Sequence, residues 1–170
     1  MPFVETSVSR DIFRTIDLAR ELQKNAAIVG RPGVGKSFAL TAYTESVNAG
    51  LIFDRPASMM TVTAVTGNAL RDLFHDVAHS IGISADGSIA NMQRQMMRYD
   101  LSGRVLIIDE AQNLKLQAFR ELLHFHDFTS ISLIFSGNDE ILKRVNTDKG
   151  AFAQINRRVS IRAEVNSILD

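Results

Sequence analysis

The chain contains no cysteine among its 170 residues. It therefore forms no disulfide and offers no thiolate to a metal ion, and this usage fits a cytoplasmic protein. It also lacks an apolar run of about 18 residues, the length that a membrane-spanning helix needs, so we expect no membrane partner. These absences favour a cytoplasmic domain that folds without covalent cross-links.

An excess of charge of either sign is also missing, since the net charge is zero. The whole-chain balance therefore gives no argument for nucleic acid. The stretch from Ile141 to Arg162 is locally basic, with six basic residues and one acid. Such a stretch binds phosphates or forms a solvated helix face, and composition does not separate the two. At 170 residues, with 45% hydrophobic content, one globular domain is expected.

The segment from Gly30 to Ser37 has the pattern Gly-x4-Gly-Lys-[Ser/Thr]. A short apolar segment, Asn25–Val29, precedes it and reads as a buried strand, and a helix is expected after it. Strand, glycine-rich turn and helix are the context in which this pattern cradles phosphates. A surface turn carrying a lysine is the alternative, and both flanks argue against it.

We therefore predict that this loop binds a nucleotide. Lys36 is expected to reach the β and γ phosphates, and the Ser37 hydroxyl to hold Mg²⁺. Gly30, Gly33 and Gly35 allow backbone conformations and close approaches that a Cβ would forbid. The predicted nucleotide-binding residues are Gly30, Arg31, Pro32, Gly33, Val34, Gly35, Lys36, Ser37 and Phe38.

Apolar strands alternate with helical patterns along the chain. Strands are predicted at 25–29, 58–63, 104–108, 131–135 and 158–161, with 51–53 as an extra strand or a lead-in. A first helix is predicted to begin with Ser9 as its N-cap, and further helices at 37–47, 67–81, 88–99, 116–125, 140–145 and 152–155. This alternation predicts an α/β fold with a parallel sheet covered on both sides. Together with the glycine-rich loop, it predicts a P-loop NTPase three-layer sandwich with a parallel five-stranded sheet.

Two acids, Asp109 and Glu110, follow the apolar strand that ends at Ile108. The carboxyl ends of parallel strands form the edge where ligands of open α/β sheets bind. We predict that Asp109 is a Mg²⁺ ligand together with Ser37, and that Glu110 orients or deprotonates the attacking water. Adjacent acids are more commonly a helix N-terminal charge pair, but the buried strand before them favours the catalytic interpretation.

Asn138 follows the next predicted strand, and its amide is predicted to contact the water or the γ-phosphate. An N-cap role is the alternative, since asparagine fills it well. Near the C-terminus, Arg157 and Arg158 are adjacent guanidinium groups. One of them is predicted to act in trans as an arginine finger on a neighbouring subunit's nucleotide, and a structural ion pair or an exposed strand start is the alternative.

These motifs together resemble the AAA+ ATPases, and within them the phage Mu B transposition protein and related transposon target-selector ATPases. The resemblance is carried by Phe3-Val-Glu-Thr6, Gly30-Arg-Pro-Gly-Val-Gly-Lys-Ser37, Ile107-Ile-Asp-Glu-Ala-Gln112 and Leu133-Ile-Phe-Ser-Gly-Asn138. It implies that ATP binds between subunits and that the protein forms filaments or rings on double-stranded DNA and delivers that DNA to a transposase. By position it also assigns the lysine, Mg²⁺, catalytic and sensor roles to Lys36, Ser37, Asp109, Glu110 and Asn138. The finger role falls on Arg158, with Arg157 as the second choice.

The expected division is an N-terminal helical lead-in packed on the core (1–24), an AAA+ ATPase core (25–162) and the start of a truncated or missing helical lid (163–170). The leading function is an ATP-hydrolysing, DNA-binding oligomer that assists transposition by target selection or transposase activation. The alternative is another AAA+ role, such as a helicase loader or a secretion-system ATPase. A non-catalytic nucleotide switch is disfavoured by Glu110, and a small-molecule kinase by the set of Glu110, Asn138 and Arg158.

Overall fold

The computed structural model describes residues 6–50, 55–145 and 153–166. Helices and strands alternate along them: α1 (Ser7–Leu22), β1 (Asn25–Val29), α2 (Lys36–Ala49), β2 (Ala57–Thr61), α3 (Leu70–Ser80), α4 (Ile89–Met96), β3 (Val105–Asp109), α5 (Leu116–Thr129), β4 (Ser132–Gly137), α6 (Glu140–Val145), α7 (Ala153–Arg158) and β5 (Val159–Glu164). Short 3₁₀ turns lie at Thr66–Asn68 and Ala111–Asn113.

The five strands form one sheet in the order β2-β3-β4-β1-β5, and every neighbouring pair is parallel. All five carboxyl ends therefore lie along one edge of the sheet. The loops that follow β1, β3 and β4 meet at this edge. The predicted parallel five-stranded α/β fold is confirmed.

Alternate strand residues pack into two separate hydrophobic clusters, one on each face of the sheet. Ile28, Ile107 and Ile134 face α1 and α2 in one cluster. Ile108 and Phe135 face the other helices in the second, which contains residues of α3, α4 and α5. The three central strands β1, β3 and β4 are buried along their whole length, as expected for a parallel sheet covered on both sides. The three-layer arrangement is confirmed.

Asn25 is fully buried at the amino end of β1 and joins three strands through its side chain. Its Oδ1 accepts from the Leu133 backbone N–H at 3.0 Å, and its Nδ2 donates to the Arg158 carbonyl at 3.1 Å. A buried amide costs free energy unless it is hydrogen-bonded, and here both ends have partners. Asn25 therefore ties β1 to β4 and to the start of β5.

The first helix begins earlier than predicted. Thr6, not Ser9, is the N-cap: its side chain accepts from the Ser9 N–H at 3.1 Å, and the Ser9 hydroxyl accepts from the Thr6 N–H at 2.8 Å. This reciprocal capping box places Ser9 three residues inside the helix. The prediction of Ser9 as the N-cap is wrong. Thr6 and Ser9 are both residue types that cap helices, and here Thr6 is the N-cap while Ser9 bonds back to it from inside the helix.

Other boundaries also shift for local reasons. The predicted helix at 67–81 begins at Leu70, since Ala69 is extended and Gly67 belongs to a 3₁₀ turn. The predicted helix at 116–125 continues to Thr129, where Ser130 ends it in a left-handed conformation. The helix predicted at 88–99 spans only Ile89–Met96.

The last strand was predicted at 158–161 and is displaced. Arg158 closes α7, and β5 runs from Val159 to Glu164, two residues past the predicted core boundary at 162. The predictions for Phe3–Glu5, 51–53, Phe152 and the last four residues fall outside the described part of the chain. Within that part, no helix has both the length and the apolar character needed to cross a membrane.

Candidate active site

The glycine-rich loop lies between β1 and α2, at the carboxyl edge of the sheet. Gly33 and Gly35 have φ angles of +83° and +90°, in the left-handed region that glycine adopts at little cost. A Cβ at either position would meet no heavy atom within 4 Å, so the backbone conformation, rather than crowding, requires glycine there. The open space above this turn is where a phosphate chain would lie.

Gly30 is required for a different reason. A Cβ at Gly30 would lie 2.4 Å from the Val165 carbonyl oxygen, because the end of β5 passes directly over the start of the loop. The Val165 N–H also donates to the Val29 carbonyl at 2.7 Å. The root of the loop is thus held between β4 and the chain after β5, since the Gly30 N–H donates to the Gly137 carbonyl.

Lys36 is the first residue of α2 and curls back over the loop. Its Nζ donates to the carbonyls of Gly30 at 2.7 Å and Arg31 at 3.0 Å. Partial burial lowers the pKa of Lys36, and the carboxylates of Asp109 and Glu110 oppose that shift. The ammonium group is therefore held at the mouth of the loop, between carbonyl dipoles and two acids.

Ser37 and Asp109 are joined directly across two elements. The Ser37 Oγ donates to the Asp109 Oδ2 at 2.6 Å, although the two residues are far apart in the chain. Asp109 ends β3 and is only 3% exposed, and its Oδ1 accepts from the Glu110 N–H at 3.0 Å. A buried carboxylate beside a hydroxyl is an all-oxygen donor set that suits Mg²⁺, so these residues fit the predicted ion.

Glu110 has a left-handed backbone, with φ of +56° and ψ of +35°. Non-glycine residues adopt this region at a cost of about 1 kcal/mol, and such positions cluster at functional sites. The turn directs the chain after β3 into the Ala111–Asn113 3₁₀ turn, and the Gln112 side-chain amide donates to the Glu110 Oε2. Glu110 thus lies one residue beyond Asp109 with its carboxylate held by a neighbour.

Asn138 follows β4 directly and lines a cavity of about 300 Å³ together with Gly30, Arg31 and Pro32. Its Oδ1 accepts from the Glu140 N–H at 3.0 Å, so the side-chain oxygen caps α6. The contact is of the kind expected for the alternative N-cap role, although Asn138 lies two residues before the first residue of α6. The amide nitrogen is the part of Asn138 that remains for the predicted contact with a ligand.

Arg157 and Arg158 lie away from this cluster. They end α7, at the amino ends of the strands, whereas the glycine-rich loop follows the carboxyl end of β1. A five-residue strand separates the two edges by about 17 Å, too far for either guanidinium to contact the nucleotide of its own chain. Arg158 pairs with Asp127 at 3.1 Å, and both side chains are more than a third exposed. The structure thus contains the ion pair that was the alternative interpretation.

Two further polar residues of this region were not predicted as site residues. Ser136 is fully buried, and its hydroxyl has no hydrogen-bond partner among the described residues. It shares a face of the sheet with Ile134, as Asp109 does with Ile107, and these two isoleucines pack in one cluster. Gln112 contacts both Glu110 and the backbone of Asn138. For Ser136, the only signal in the sequence was a serine within an apolar strand.

The chain is similar to proteins of a known family. A family profile described as "AAA domain" matches residues 19–145. The chain is 28% identical over 146 residues to the Mu-like prophage FluMu DNA transposition protein B of Haemophilus influenzae, covering 84% of this chain and 48% of the relative. It is 26% identical over 168 residues to the ATP-dependent target DNA activator B of Escherichia phage Mu, covering 96% of this chain and 51% of the relative. The chain thus spans about half the length of these relatives.

A solved structure supports the fold alone. The Aeropyrum pernix ORC2 protein, determined as ADPNP and ADP complexes, superposes with a TM-score of 0.68 at 14% sequence identity. The match covers 93% of this chain and 46% of that one. Because the family profile covers most of the chain, including the glycine-rich loop and the Asp109 strand, the chain belongs to the AAA domain family.

Proposed function

We propose that this chain is an ATPase that converts ATP and water to ADP and phosphate. The observation that carries the proposal is the 2.6 Å contact between Ser37 and Asp109 at the mouth of the glycine-rich loop. It brings a hydroxyl, a buried carboxylate and the Lys36 ammonium group to one edge of the sheet. A surface turn that carries a lysine by chance would not be expected to contact a buried acid from a distant strand.

Each residue of the site has a proposed role. The backbone N–H groups of the loop bind the phosphates, and Lys36 exchanges its contacts with the Gly30 and Arg31 carbonyls for phosphate oxygens. When bound, Mg²⁺ would be held by Ser37 and Asp109 and would neutralise charge on the β and γ phosphates. Arg31, Pro32, Val34 and Phe38 border the nucleotide.

For hydrolysis itself, the Glu110 carboxylate takes a proton from the attacking water, and the new bond forms between that water oxygen and the γ-phosphorus as the bond to ADP breaks. The Asn138 amide nitrogen orients the water or the γ-phosphate. Arg158 or Arg157 of a second copy stabilises the charge on the transferring group. The position of both arginines at the opposite edge of the sheet supports a role in trans.

A charge-neutral substitution tests the catalytic role of Glu110. We expect Glu110→Gln to retain ATP binding and to lower hydrolysis by about 100-fold or more, since the amide cannot accept the proton. Glu45→Gln is the matched control, because Glu45 is exposed on α2 away from the site. Phosphate release and binding of a fluorescent ATP analogue are measured in parallel. Unchanged hydrolysis in Glu110→Gln would refute the catalytic assignment, and no ATP binding by the unsubstituted chain would refute the function.

We further propose that the chain binds double-stranded DNA as an oligomer and assists transposition through target selection or transposase activation. The support is the similarity to two relatives whose names describe DNA transposition and ATP-dependent target DNA activation. Contacts to phosphates rather than to bases would make the affinity fall steeply with salt.

Anisotropy of a labelled duplex, measured with ATP, with ADP and without nucleotide over a salt series, tests the DNA proposal. We expect tighter binding with ATP and filaments or rings by electron microscopy under the same conditions. Lys36→Ala serves as the control that removes the ATP-dependent part. Absence of binding at low salt with ATP would refute DNA binding by this chain and leave the ATPase proposal standing.

A further inference from the structure

The side chain of Gln112 connects the two polar residues that follow β3 and β4. Its Nε2 donates to the Glu110 Oε2, and its Oε1 accepts from the Asn138 backbone N–H at 3.4 Å. The proposed base and the proposed sensor are therefore linked through one amide group.

The orientation of this amide follows from its partners. A carboxylate only accepts hydrogen bonds, and a backbone N–H only donates them. Rotating the Gln112 amide by half a turn would place oxygen against oxygen and nitrogen against nitrogen. Only one orientation satisfies both neighbours, so glutamine can make a bridge that glutamate, an acceptor at both ends, cannot.

The end of β4 is shaped to admit the Gln112 side chain. A Cβ on Gly137 would lie 2.1 Å from the Gln112 Oε1 and 2.7 Å from the Ile141 Cδ1. A side chain at this position would have to displace the ends of the Gln112 and Ile141 side chains. The close approach of Gln112 to the β4 backbone depends on that missing side chain.

The turn that carries Gln112 is anchored on its other side. The Asn113 Nδ2 donates to the Val62 carbonyl at 2.8 Å, and the Asn113 N–H donates to the Glu110 carbonyl at 3.0 Å. The Ala111–Asn113 turn is thus held to the chain after β2 by one side chain and to the chain after β4 by the other. Its backbone has little freedom, and the Gln112 side chain is what reaches the Glu110 carboxylate.

We propose that Gln112 is a positioning residue for ATP hydrolysis, which sets the Glu110 carboxylate at a defined place relative to Asn138 so that both face the same water. This inference rests on the proposed ATPase function. The bridge occupies Oε2 of Glu110 and leaves Oε1 as the oxygen that takes the proton. Because the amide is neutral and does not exchange the proton, its role is orientation.

Steady-state kinetics of the full chain with Mg²⁺ and ATP test the proposal. We expect Gln112→Ala to lower kcat about tenfold, the effect of one lost hydrogen bond to a charged group, with the KM for ATP changed less than about twofold. Gln112→Glu has nearly the same shape but sets a second carboxylate against Glu110, so its kcat is expected to fall further. Gln117→Ala, an exposed glutamine on α5, is the matched control.

A second measurement reports on the bridge without catalysis. In amide NMR spectra of the nucleotide-free chain, Gln112→Ala should shift the Glu110 and Asn138 resonances, whereas Gln117→Ala should leave both in place. Gly137→Ala should displace the bridge, so its effect on kcat should be smaller in the Gln112→Ala background than in the unsubstituted chain.

The outcomes separate two failures. If the unsubstituted chain hydrolyses ATP and Gln112→Ala keeps its full kcat, the positioning role is refuted while the ATPase function stands. A Gln112→Ala variant that loses ATP affinity and kcat together also refutes it, because that pattern indicates a structural role. If the unsubstituted chain binds ATP without hydrolysing it, the proposed function is refuted and this inference with it.

Discussion

At the scale of single residues, Ser132 and Ser136 of β4 offer a matched pair. Both are fully buried, but the Ser132 Oγ donates to the Ala19 carbonyl at 3.0 Å, whereas the Ser136 Oγ has no partner among the described residues. An orphaned buried hydroxyl costs free energy that a satisfied one does not. Ser136 lies on the same face of the sheet as Asp109, so its hydroxyl is close to the candidate site.

We expect Ser132→Ala to lower the free energy of unfolding by about 1 kcal/mol, the net contribution of one hydrogen bond. Ser136→Ala is expected to leave it unchanged or to raise it slightly, because no hydrogen bond is lost. Urea unfolding followed by circular dichroism measures both. Equal losses in the two variants would show that the Ser136 hydroxyl has a partner after all.

The left-handed backbone at Glu110 leads to a second expectation at this scale. Glycine adopts that conformation without strain, so Glu110→Gly should be more stable than Glu110→Ala by about 1 kcal/mol. Thermal unfolding of the two variants gives the difference, and both should be inactive in hydrolysis. At Glu45, in the middle of α2, the alanine variant should instead be more stable than the glycine variant, since alanine favours a helix.

Part of the site was predictable from local spacing. The pattern from Gly30 to Ser37 specifies its own loop, and an acid after a buried run identifies Asp109, because parallel strands end at one edge. Gln112 closes the Asp-Glu-Ala-Gln motif but was not predicted as a site residue, since the motif does not show what its side chain contacts. Its role depends on contact with Asn138 and on space at Gly137, which only the folded chain brings together.

At the scale of elements, the packing of α1 against α2 centres on Tyr43. Its ring is 2% exposed and meets Phe13 edge-on, with ring centroids 5.2 Å apart. Its hydroxyl donates to the Asp17 Oδ1 at 2.7 Å. Burial, with a smaller contribution from this hydrogen bond, raises the pKa of Tyr43 well above its ordinary value of 10.0, and Arg20 opposes the shift.

The raised pKa makes stability depend on alkaline pH. A group whose pKa is higher in the folded state stabilises fully below its unfolded pKa, so this contribution is complete at neutral pH and falls as the pH rises past 10.0. We expect Tyr43→Phe to cost about 1 kcal/mol at pH 7 and to flatten the alkaline decline. Denaturant unfolding at a series of pH values measures it. Tyr99→Phe is the control because Tyr99 is 56% exposed, and an equal flattening there would contradict the assignment.

Element types were predicted better than element ends. The apolar runs of β1, β3 and β4 and the helical spacing of α1 and α3 follow from burial, which leaves a periodic signature in the sequence. Ends depend on single hydrogen bonds: the Thr6–Ser9 capping box moves the start of α1, and the Thr129 hydroxyl bonds the Phe125 carbonyl at 2.7 Å in the last turn of α5. Several residues near each end can make such bonds, so the sequence leaves the choice open.

At the scale of the whole molecule, the separation of Arg158 from its own glycine-rich loop leads to a complementation test. We expect Lys36→Ala and Arg158→Ala each to abolish hydrolysis, since one removes the lysine proposed to bind phosphate and the other removes the proposed arginine finger. In an equal mixture, random assembly pairs an intact site with an intact finger at about a quarter of the interfaces, so activity should return to that level. Arg158→Ala should cost less than about 1 kcal/mol of stability, since its ion pair is half-exposed.

The control is a mixture of Arg158→Ala with the double variant Lys36→Ala, Arg158→Ala, which contains no intact finger and should stay inactive. The same mixtures made with Arg157→Ala decide between the two arginines. Full hydrolysis by both single arginine variants would contradict a finger at either position.

The position of Asn25 has a consequence for synthesis of the chain. Its two backbone partners, at Leu133 and Arg158, follow it by 108 and 133 residues, and both strands that flank β1 come after residue 131. A ribosome adding about 5 to 20 residues per second needs several seconds to produce them. Throughout that interval β1 is an apolar strand with both edges unpaired, a state prone to aggregation. The strand that leads into the glycine-rich loop is made early, whereas both strands that pair with it are made late.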